Sequence, residues 1–160
     1  NPSAGINKID LCVAHQLLAA GTDDGFLHLW DARQGQPGGA RGVAYLDLRE
    51  VLGPAAVNAA DQTLGGFQVS AVAFDTDGLT MGVGTSSAHC LTFDLRSPTP
   101  LIVKEHQYGL PVTQGPERRI LSADRKTVKI WNRNDGVVLT NVETPADIND
   151  VCVAHDSRQA

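Results

Sequence analysis

Several residue types are scarce in this sequence, and each shortage excludes a class of protein. Three cysteines, at positions 12, 90 and 152, are an odd and sparse set that argues against a disulfide framework and fits a reducing compartment. No apolar run approaches the ~20 residues of a membrane-spanning helix, and the first residues lack the basic and apolar regions of a signal peptide. A net charge of −5 argues against a protein that coats nucleic acid with its whole surface. We therefore expect an intracellular protein without a membrane segment.

Aromatic residues are also few, whereas turn-forming residues are common. Aromatic residues make up 5% of the chain, against 16 glycines and 8 prolines in 160 residues. This composition is typical of many short strands joined by tight turns, and helix signals are rare. A hydrophobic content of 42% is sufficient for an ordinary globular core.

One short pattern occurs three times, at residues 26–31, 90–94 and 127–132. Each copy is an alternating strand that ends in an aromatic residue followed by Asp or Asn, and each has a small residue nine positions before the aromatic one, where we expect a turn. Such a repeat indicates WD-type propeller blades of ~40–45 residues with four strands each. The residues of this repeat are Gly21, Asp24, Trp30, Asp31, Gly84, Phe93, Asp94, Ser122, Trp131 and Asn132.

The blade pattern predicts the organisation of the whole chain. Blade 1 covers about 6–48, blade 2 about 69–103 and blade 3 about 110–142, and the next blade starts within 147–160. We predict an all-β WD-repeat propeller of which about three blades plus the start of a fourth are present, and therefore part of a longer protein, since closed propellers have ~4–8 blades. The connection 50–66 is predicted to be a long loop, either a tolerated insertion or an excursion toward a partner.

The third blade has a shorter inner strand than the other two. In the first two blades fifteen residues separate the start of the inner strand from the small residue of the repeat, whereas ten separate Val112 from Ser122. We expect about five residues of this strand to be missing near 113–115.

The tryptophans and the polar residues around them give further expectations. Because successive strand residues point to opposite faces, Trp30 and Trp131 should be largely buried against neighbouring blades while His28 and Lys129 are exposed.

A typical WD blade carries an Asp in the turn before the Trp strand. This Asp forms hydrogen bonds with a His, a Ser or Thr and the Trp. Asp24 occupies that position, six residues before Trp30, but Ser87 and Arg125 occupy it in the other blades and Asp124 is one residue early. We therefore predict an incomplete polar network and blades held mainly by apolar burial.

Residues that could carry chemistry are few. Cys12 and His15, like Cys152 and His155, have the Cys-x2-His spacing of zinc ligands. Strand residues three apart point to opposite faces, so we interpret these cysteines as small buried hydrophobes. Residues 86–90 place serine beside histidine without a Gly-x-Ser-x-Gly elbow, and phosphate-binding and dinucleotide-binding loops are absent from the sequence. We predict a protein that is not an enzyme, with no metal, cofactor or small-molecule substrate.

Longer segments resemble the nucleolar protein 10 family. The run His-Gln-Tyr-Gly-Leu-Pro at 106–111 is far more specific than Trp-Asp, and the similar segments are 79–85, 100–111, 121–124, 128–132 and 148–152. The resemblance implies a non-catalytic scaffold of the small-subunit processome in the nucleolus, hence in the nucleus. Its implied partners are other pre-ribosome assembly proteins and pre-rRNA, bound directly or through partners. The residues themselves leave open a generic WD interaction module, such as a ubiquitin-ligase substrate receptor or a signalling adaptor.

A contact surface is predicted beside the third blade. In a blade, the connection that enters the inner strand and the turn between the second and third strands lie on the same propeller face. Residues 104–108 belong to that connection and residues 125–126 to that turn. Arg118, Arg119 and Arg133 belong to the opposite face. Residues 117–133 carry six Lys or Arg against two Asp or Glu, so attraction for phosphate should be local. We predict contact with ribosomal RNA or an acidic partner segment; an ordinary charged rim is the alternative. The residues of this predicted surface are Lys104, His106, Gln107, Tyr108, Arg125 and Lys126.

Overall fold

Three antiparallel four-stranded sheets follow one another along the chain in the computed structural model, which describes residues 4–33, 42–63, 66–106, 112–115, 119–149 and 151. In each sheet every strand pairs with its neighbours in sequence, as in a propeller blade. The first sheet contains β1 (Ile6–Cys12), β2 (Leu17–Thr22), β3 (Phe26–Asp31) and β4 (Gly42–Asp47). The second contains β5 (Val69–Phe74), β6 (Thr80–Thr85), β7 (His89–Asp94) and β8 (Pro100–Glu105). The third contains β9 (Val112–Gly115), β10 (Arg119–Ala123), β11 (Thr127–Asn132) and β12 (Val138–Glu143). The predicted blade architecture is confirmed.

The aromatic residue of the repeat has the same structural position in all three blades. The ladder between the third and fourth strands shifts register at Trp30, at Phe93 and at Trp131. A bulge at this point bends the outer strand and increases its twist. The sequence repeat therefore marks the place where each blade bends.

The small residues of the repeat lie in strands, and the expectation of a turn there was wrong. Gly21, Gly84 and Ser122 are in β2, β6 and β10. A Cβ on Gly21 would lie 2.4 Å from Cγ1 of Val69 in the second blade. Gly21 is therefore explained by the close approach of two blades rather than by turn geometry.

Apolar side chains fill the seams between consecutive blades. Between the second and third blades, Ala71, Cys90, Ile120 and Trp131 form one buried cluster. Trp131 is 1% exposed, which confirms its predicted burial. The seam between the first two blades holds a larger cluster, which includes Leu27, Val69, Val72, Met81, Val83, Leu91 and Phe93.

Trp30 is less buried than Trp131 and lies outside both seam clusters. Leu27 and Leu29 belong to the cluster that faces the second blade. Alternation along β3 places Trp30 on the other face, where its ring stacks on His28 at a centroid distance of 5.5 Å. His28 and Lys129 are half-buried rather than exposed.

Two helices occupy most of the connection between the first two blades, where a loop was predicted over 50–66. They are α1 (Leu48–Leu52) and α2 (Pro54–Thr63). Leu48 and Ala60 are 0% exposed and belong to the first seam cluster. Helices this short have little stability alone and depend on packing, which local sequence signals do not show.

The structure bears on two further predictions, the shortened inner strand of the third blade and the start of a next blade. β9 has four residues, and it pairs with β10 from Val112↔Ser122 to Gly115↔Arg119. A short inner strand therefore completes this sheet, and the absence of about five residues near 113–115 stays a prediction. For the predicted next blade, residues 147–149 and 151 are not in a strand, and the remainder of 147–160 lies outside the described residues.

Candidate functional site

The best-organised polar group lies inside the third blade. His106 directly follows β8, Ser122 is in β10 and Trp131 is in β11. Nε1 of Trp131 donates a hydrogen bond to Oγ of Ser122 at 2.7 Å, and Nε2 of His106 lies 2.6 Å from the same oxygen. A serine hydroxyl can donate one hydrogen bond and accept two, so Ser122 joins the indole of Trp131 to the imidazole of His106.

Asp124 lies on the other side of the His106 ring. Its Oδ2 is 3.7 Å from Nδ1 of His106, which is beyond hydrogen-bond length, and its Oδ1 accepts the backbone N–H groups of Lys126 and Thr127 at 2.9 and 2.7 Å. Burial lowers the pKa of His106, the positive charge of Lys129 lowers it further, and the nearby carboxylate of Asp124 opposes both effects. The neutral histidine is thus held as a structural group.

This network agrees with one expectation and corrects another. The third blade contains an Asp, a His, a Ser and a Trp, but Asp124 lies beyond hydrogen-bond length from His106 and Nδ1 of His106 has no hydrogen-bond partner among the described residues, so the network is incomplete, as predicted. Asp124 is seven residues before Trp131 instead of six, but the turn that it forms with Thr127 still directs its carboxylate toward His106. His106 is 8% exposed, so it is part of the interior and not of a contact surface.

The equivalent networks in the first two blades are partial, as predicted. In the first, Oγ1 of Thr22 donates to Asp24 at 2.5 Å. In the second, hydroxyl groups replace the carboxylate, and Ser87 lies 2.9 Å from Thr85 and 3.0 Å from Nδ1 of His89. These hydrogen bonds hold the turn between the second and third strands of each blade.

The residues that end the third strands also make structural bonds. Asp31 and Asp94 each accept two side-chain hydrogen bonds from the arginine two residues later. The Arg33 and Arg96 guanidinium groups lower the pKa of Asp31 and Asp94 to about 2.

The predicted contact surface is not assembled as expected. Arg125 and Lys126 are exposed in the turn between β10 and β11. Lys104 packs at the other end of β11, because a Cβ on Gly136 would lie 2.8 Å from Lys104 Cε and 3.3 Å from Nζ. Gln107 and Tyr108 lie outside the described residues. Of the four predicted residues that the structure describes, Arg125 and Lys126 share the exposed turn.

Nearby carboxylates partly neutralise the basic segment 117–133. Arg133 forms ion pairs with Asp75 and Asp77 of the second blade. Arg125 lies 3.5 Å from Asp147, with both side chains more than half exposed. Sequence counting missed these pairs, because a carboxylate distant in sequence gives no local signal. Exposed Lys126 remains the least constrained cation of the turn.

The groups considered for chemistry have structural neighbours. Ser86 accepts from the backbone N–H of Gln68 at 2.8 Å and donates to the carbonyl of Gly66 at 3.0 Å, while His89 bonds to Ser87. Cys12 is buried beside the carbonyl of Gly78. Within the described ranges, His, Cys, Asp and Glu form no group of three that could hold a metal ion, and none of the helices is long and apolar enough to cross a membrane.

Comparisons with known proteins agree with this architecture. The family model of the nucleolar protein 10-like N-terminal domain matches residues 1–158. Nucleolar protein 10 of Homo sapiens is 39% identical over 155 residues, which cover 94% of this chain and 21% of that protein. Ribosome biogenesis protein ENP2 of Saccharomyces cerevisiae is 32% identical over 154 residues, which cover 92% of this chain and 20% of that protein. The chain thus spans about a fifth of the length of these relatives.

Solved structures support the fold alone. The RRP9 WD40 repeats superpose with a TM-score of 0.73 at 14% identity, over 92% of this chain and 41% of that one. Saccharomyces cerevisiae Sqt1 superposes with a TM-score of 0.76 at 11% identity, over 98% of this chain and 40% of that one.

The relatives' names confirm the nucleolar location that the resemblance implies, and with it the nucleus. The family model matches residues 1–158, which include all three described blades. The chain belongs to the nucleolar protein 10-like family and forms part of its N-terminal β-propeller domain.

Proposed function

We propose that this chain is part of a non-catalytic scaffold in ribosome biogenesis, a component of the small-subunit processome that contributes to maturation of small-subunit pre-rRNA. It would do so by binding other assembly proteins, and pre-rRNA directly or through them. The observation that carries the proposal is the similarity of nearly the whole chain to ribosome biogenesis proteins at 32% identity. The geometry supports the non-catalytic part of the proposal, because the polar clusters of the described blades bond to one another and hold turns and strands.

The turn at Arg125 and Lys126 is the proposed contact with RNA or an acidic partner segment. Both side chains are exposed, and Arg125 has a solvated pairing with Asp147, which a phosphate can replace at little cost. Two cations supply a local attraction that weakens with salt. Tyr108, as a base-stacking or partner-gripping residue beside them, remains part of this proposal.

Sedimentation tests the role of the whole protein. The tagged full-length protein in nucleolar extract should co-migrate with large pre-ribosomal particles. If it sediments only as a free protein or a small complex, the scaffold proposal is wrong and a generic interaction module becomes the better interpretation.

Charge reversal tests the turn within that role. The variant with Arg125→Glu, Lys126→Glu and Tyr108→Ala should enter the particles several-fold less and crosslink less to pre-rRNA, with an unchanged melting temperature. The control with Lys8→Glu and Arg33→Glu changes the same net charge at exposed positions of the first blade. Normal incorporation of the triple variant would show that the turn is ordinary surface.

A further inference from the structure

The seam between the first two blades is closed at one end and open at the other. At the closed end, α1 and α2 cover it, and the backbone N–H of Leu48 donates to the carbonyl of Gly25 in the turn between β2 and β3. At the open end, next to the turn that follows β7, an apolar groove of about 240 Å³ remains between the two sheets. Its apolar lining includes Leu27, Leu29, Leu46, Met81, Phe93 and Leu95.

The floor of this groove belongs to the interior of the protein. Leu27, Met81 and Phe93 are each 2% exposed and are part of the seam cluster that α1 and α2 cover at the closed end. An apolar group placed in the groove would therefore extend an existing core and remove apolar surface from water, which is favourable.

The rim carries one exposed charged residue. The side chain of Arg96 is 77% exposed, whereas that of its partner Asp94 is 19% exposed, so the pair presents its positive end to solvent. Arg96 bonds to Asp94 through Nε and Nη2, which leaves the hydrogens of Nη1 for a second acceptor. Arginine is enriched among residues that contribute most to binding energy.

We propose that this groove is a docking site for a peptide segment of a partner protein, which inserts one aliphatic or aromatic anchor side chain and places a neighbouring Asp or Glu against Arg96. The apolar floor selects the anchor, and the exposed guanidinium selects the carboxylate by charge complementarity. The site lies in the first seam, away from the turn at Arg125 and Lys126, and goes beyond the proposed contact with RNA.

Size and chemistry favour a peptide over other occupants. Small-molecule sites usually enclose ~300–1,000 Å³, which is more than this groove, whereas one large side chain fits it. Single-stranded RNA binds to exposed aromatic faces and backbone-tracking cations. This groove has an aliphatic-rich floor and a single arginine, whose charge Asp94 partly balances.

A peptide selection tests the site on the full-length protein. A displayed library of random twelve-residue peptides is selected on the wild type, with removal of peptides that also bind the variant Ala44→Trp. Ala44 is exposed and lines the groove, so the added indole should fill the groove without disturbing the core. Binding of the selected synthetic peptides is then measured by fluorescence anisotropy.

The expected peptides share a large apolar residue next to Asp or Glu. Their dissociation constants should rise at least tenfold for Arg96→Glu and stay within twofold for Arg33→Glu, whose arginine has the same pairing geometry one blade away and does not line the groove. If Ala44→Trp lowers the melting temperature, Ser97→Trp, at another exposed residue that lines the groove, gives an independent loss of affinity. The proposal is wrong if no selected peptide distinguishes these proteins, or if the discriminating peptides are basic or lack an apolar anchor.

Discussion

Ser122 shows how one position of the repeat serves different purposes in different blades. Glycine occupies the equivalent position in β2, where Val69 of the next blade leaves no room for a Cβ. In the third blade the added hydroxyl joins the indole of Trp131 to the imidazole of His106. Loss of one member of this buried network would leave its hydrogen-bond partners unpaired, which costs free energy.

Trp131 should be the most sensitive aromatic residue of the described blades. Trp131→Ala should cost ~3–5 kcal/mol of unfolding free energy, since it removes a fully buried ring from the second seam. Trp131→Phe keeps most of the ring and loses the Nε1 hydrogen bond, which is worth about 1 kcal/mol. Chemical denaturation of the full-length protein measures both, and equal costs for the two variants would contradict this division between packing and hydrogen bonding.

His106 should make stability depend on pH below neutrality. Its pKa in the folded protein is lowered from the ordinary 6.5, so the unfolded chain binds more protons in the window below that value. This contribution to stability is fully present above about pH 6.5 and is lost as the pH falls toward the folded pKa. His106→Gln should show a shallower loss of melting temperature between pH 7 and pH 5. Parallel pH profiles of variant and wild type would rule out this role.

At the scale of elements, an ion pair and two helices connect blades whose sheets are separate. Arg133 follows β11 of the third blade and reaches Asp75 and Asp77, which follow β5 of the second. Arg33 and Arg96 instead pair with an Asp two residues earlier in their own blade. In the third blade Asn132 replaces that Asp and Asn134 replaces that Arg, and Arg133, which lies between them, bridges two blades.

Arg133→Gln should therefore weaken the contact between the second and third blades. The arginine side chain is 13% exposed and that of Asp75 is 6% exposed, and removing one member of such a buried pair costs about 3 kcal/mol. Arg96→Gln is the control, since solvent surrounds its arginine and little stability should be lost. Urea denaturation compares the two, and equal midpoints would show that the bridge contributes no more than a surface pair.

At the scale of the molecule, the exposed apolar faces determine how the 160-residue piece behaves alone. In the first blade, Ile6, Ile9, Val13 and Tyr45 are 57–73% exposed, and residues 137–139 and 142 of the third blade are about half exposed. A propeller normally covers such faces with adjacent blades. Uncovered, they favour self-association.

We predict that the isolated piece does not form a stable monomer. It should bind a hydrophobic dye and unfold without a cooperative thermal transition, because the faces of its terminal blades stay in water. Calorimetry with analytical ultracentrifugation checks this result. A sharp transition in a monomeric sample would show that the two buried seams suffice for stability.

The sequence by itself determined the blade repeat, the order of the strands, the burial of Trp131 and the family. These features depend on local patterns: alternation along a strand, and an aromatic residue at the bulge that follows it. Only the tertiary structure decided that most of 48–63 forms helices, that His106 lies inside and that Lys104 packs against Gly136. It also decided which charges are free, since Arg133 and Asp75 are 58 residues apart. The physical reason is that burial, ion pairing and helix stability in short segments depend on groups that the fold brings together, and spacing along one strand does not encode those neighbours.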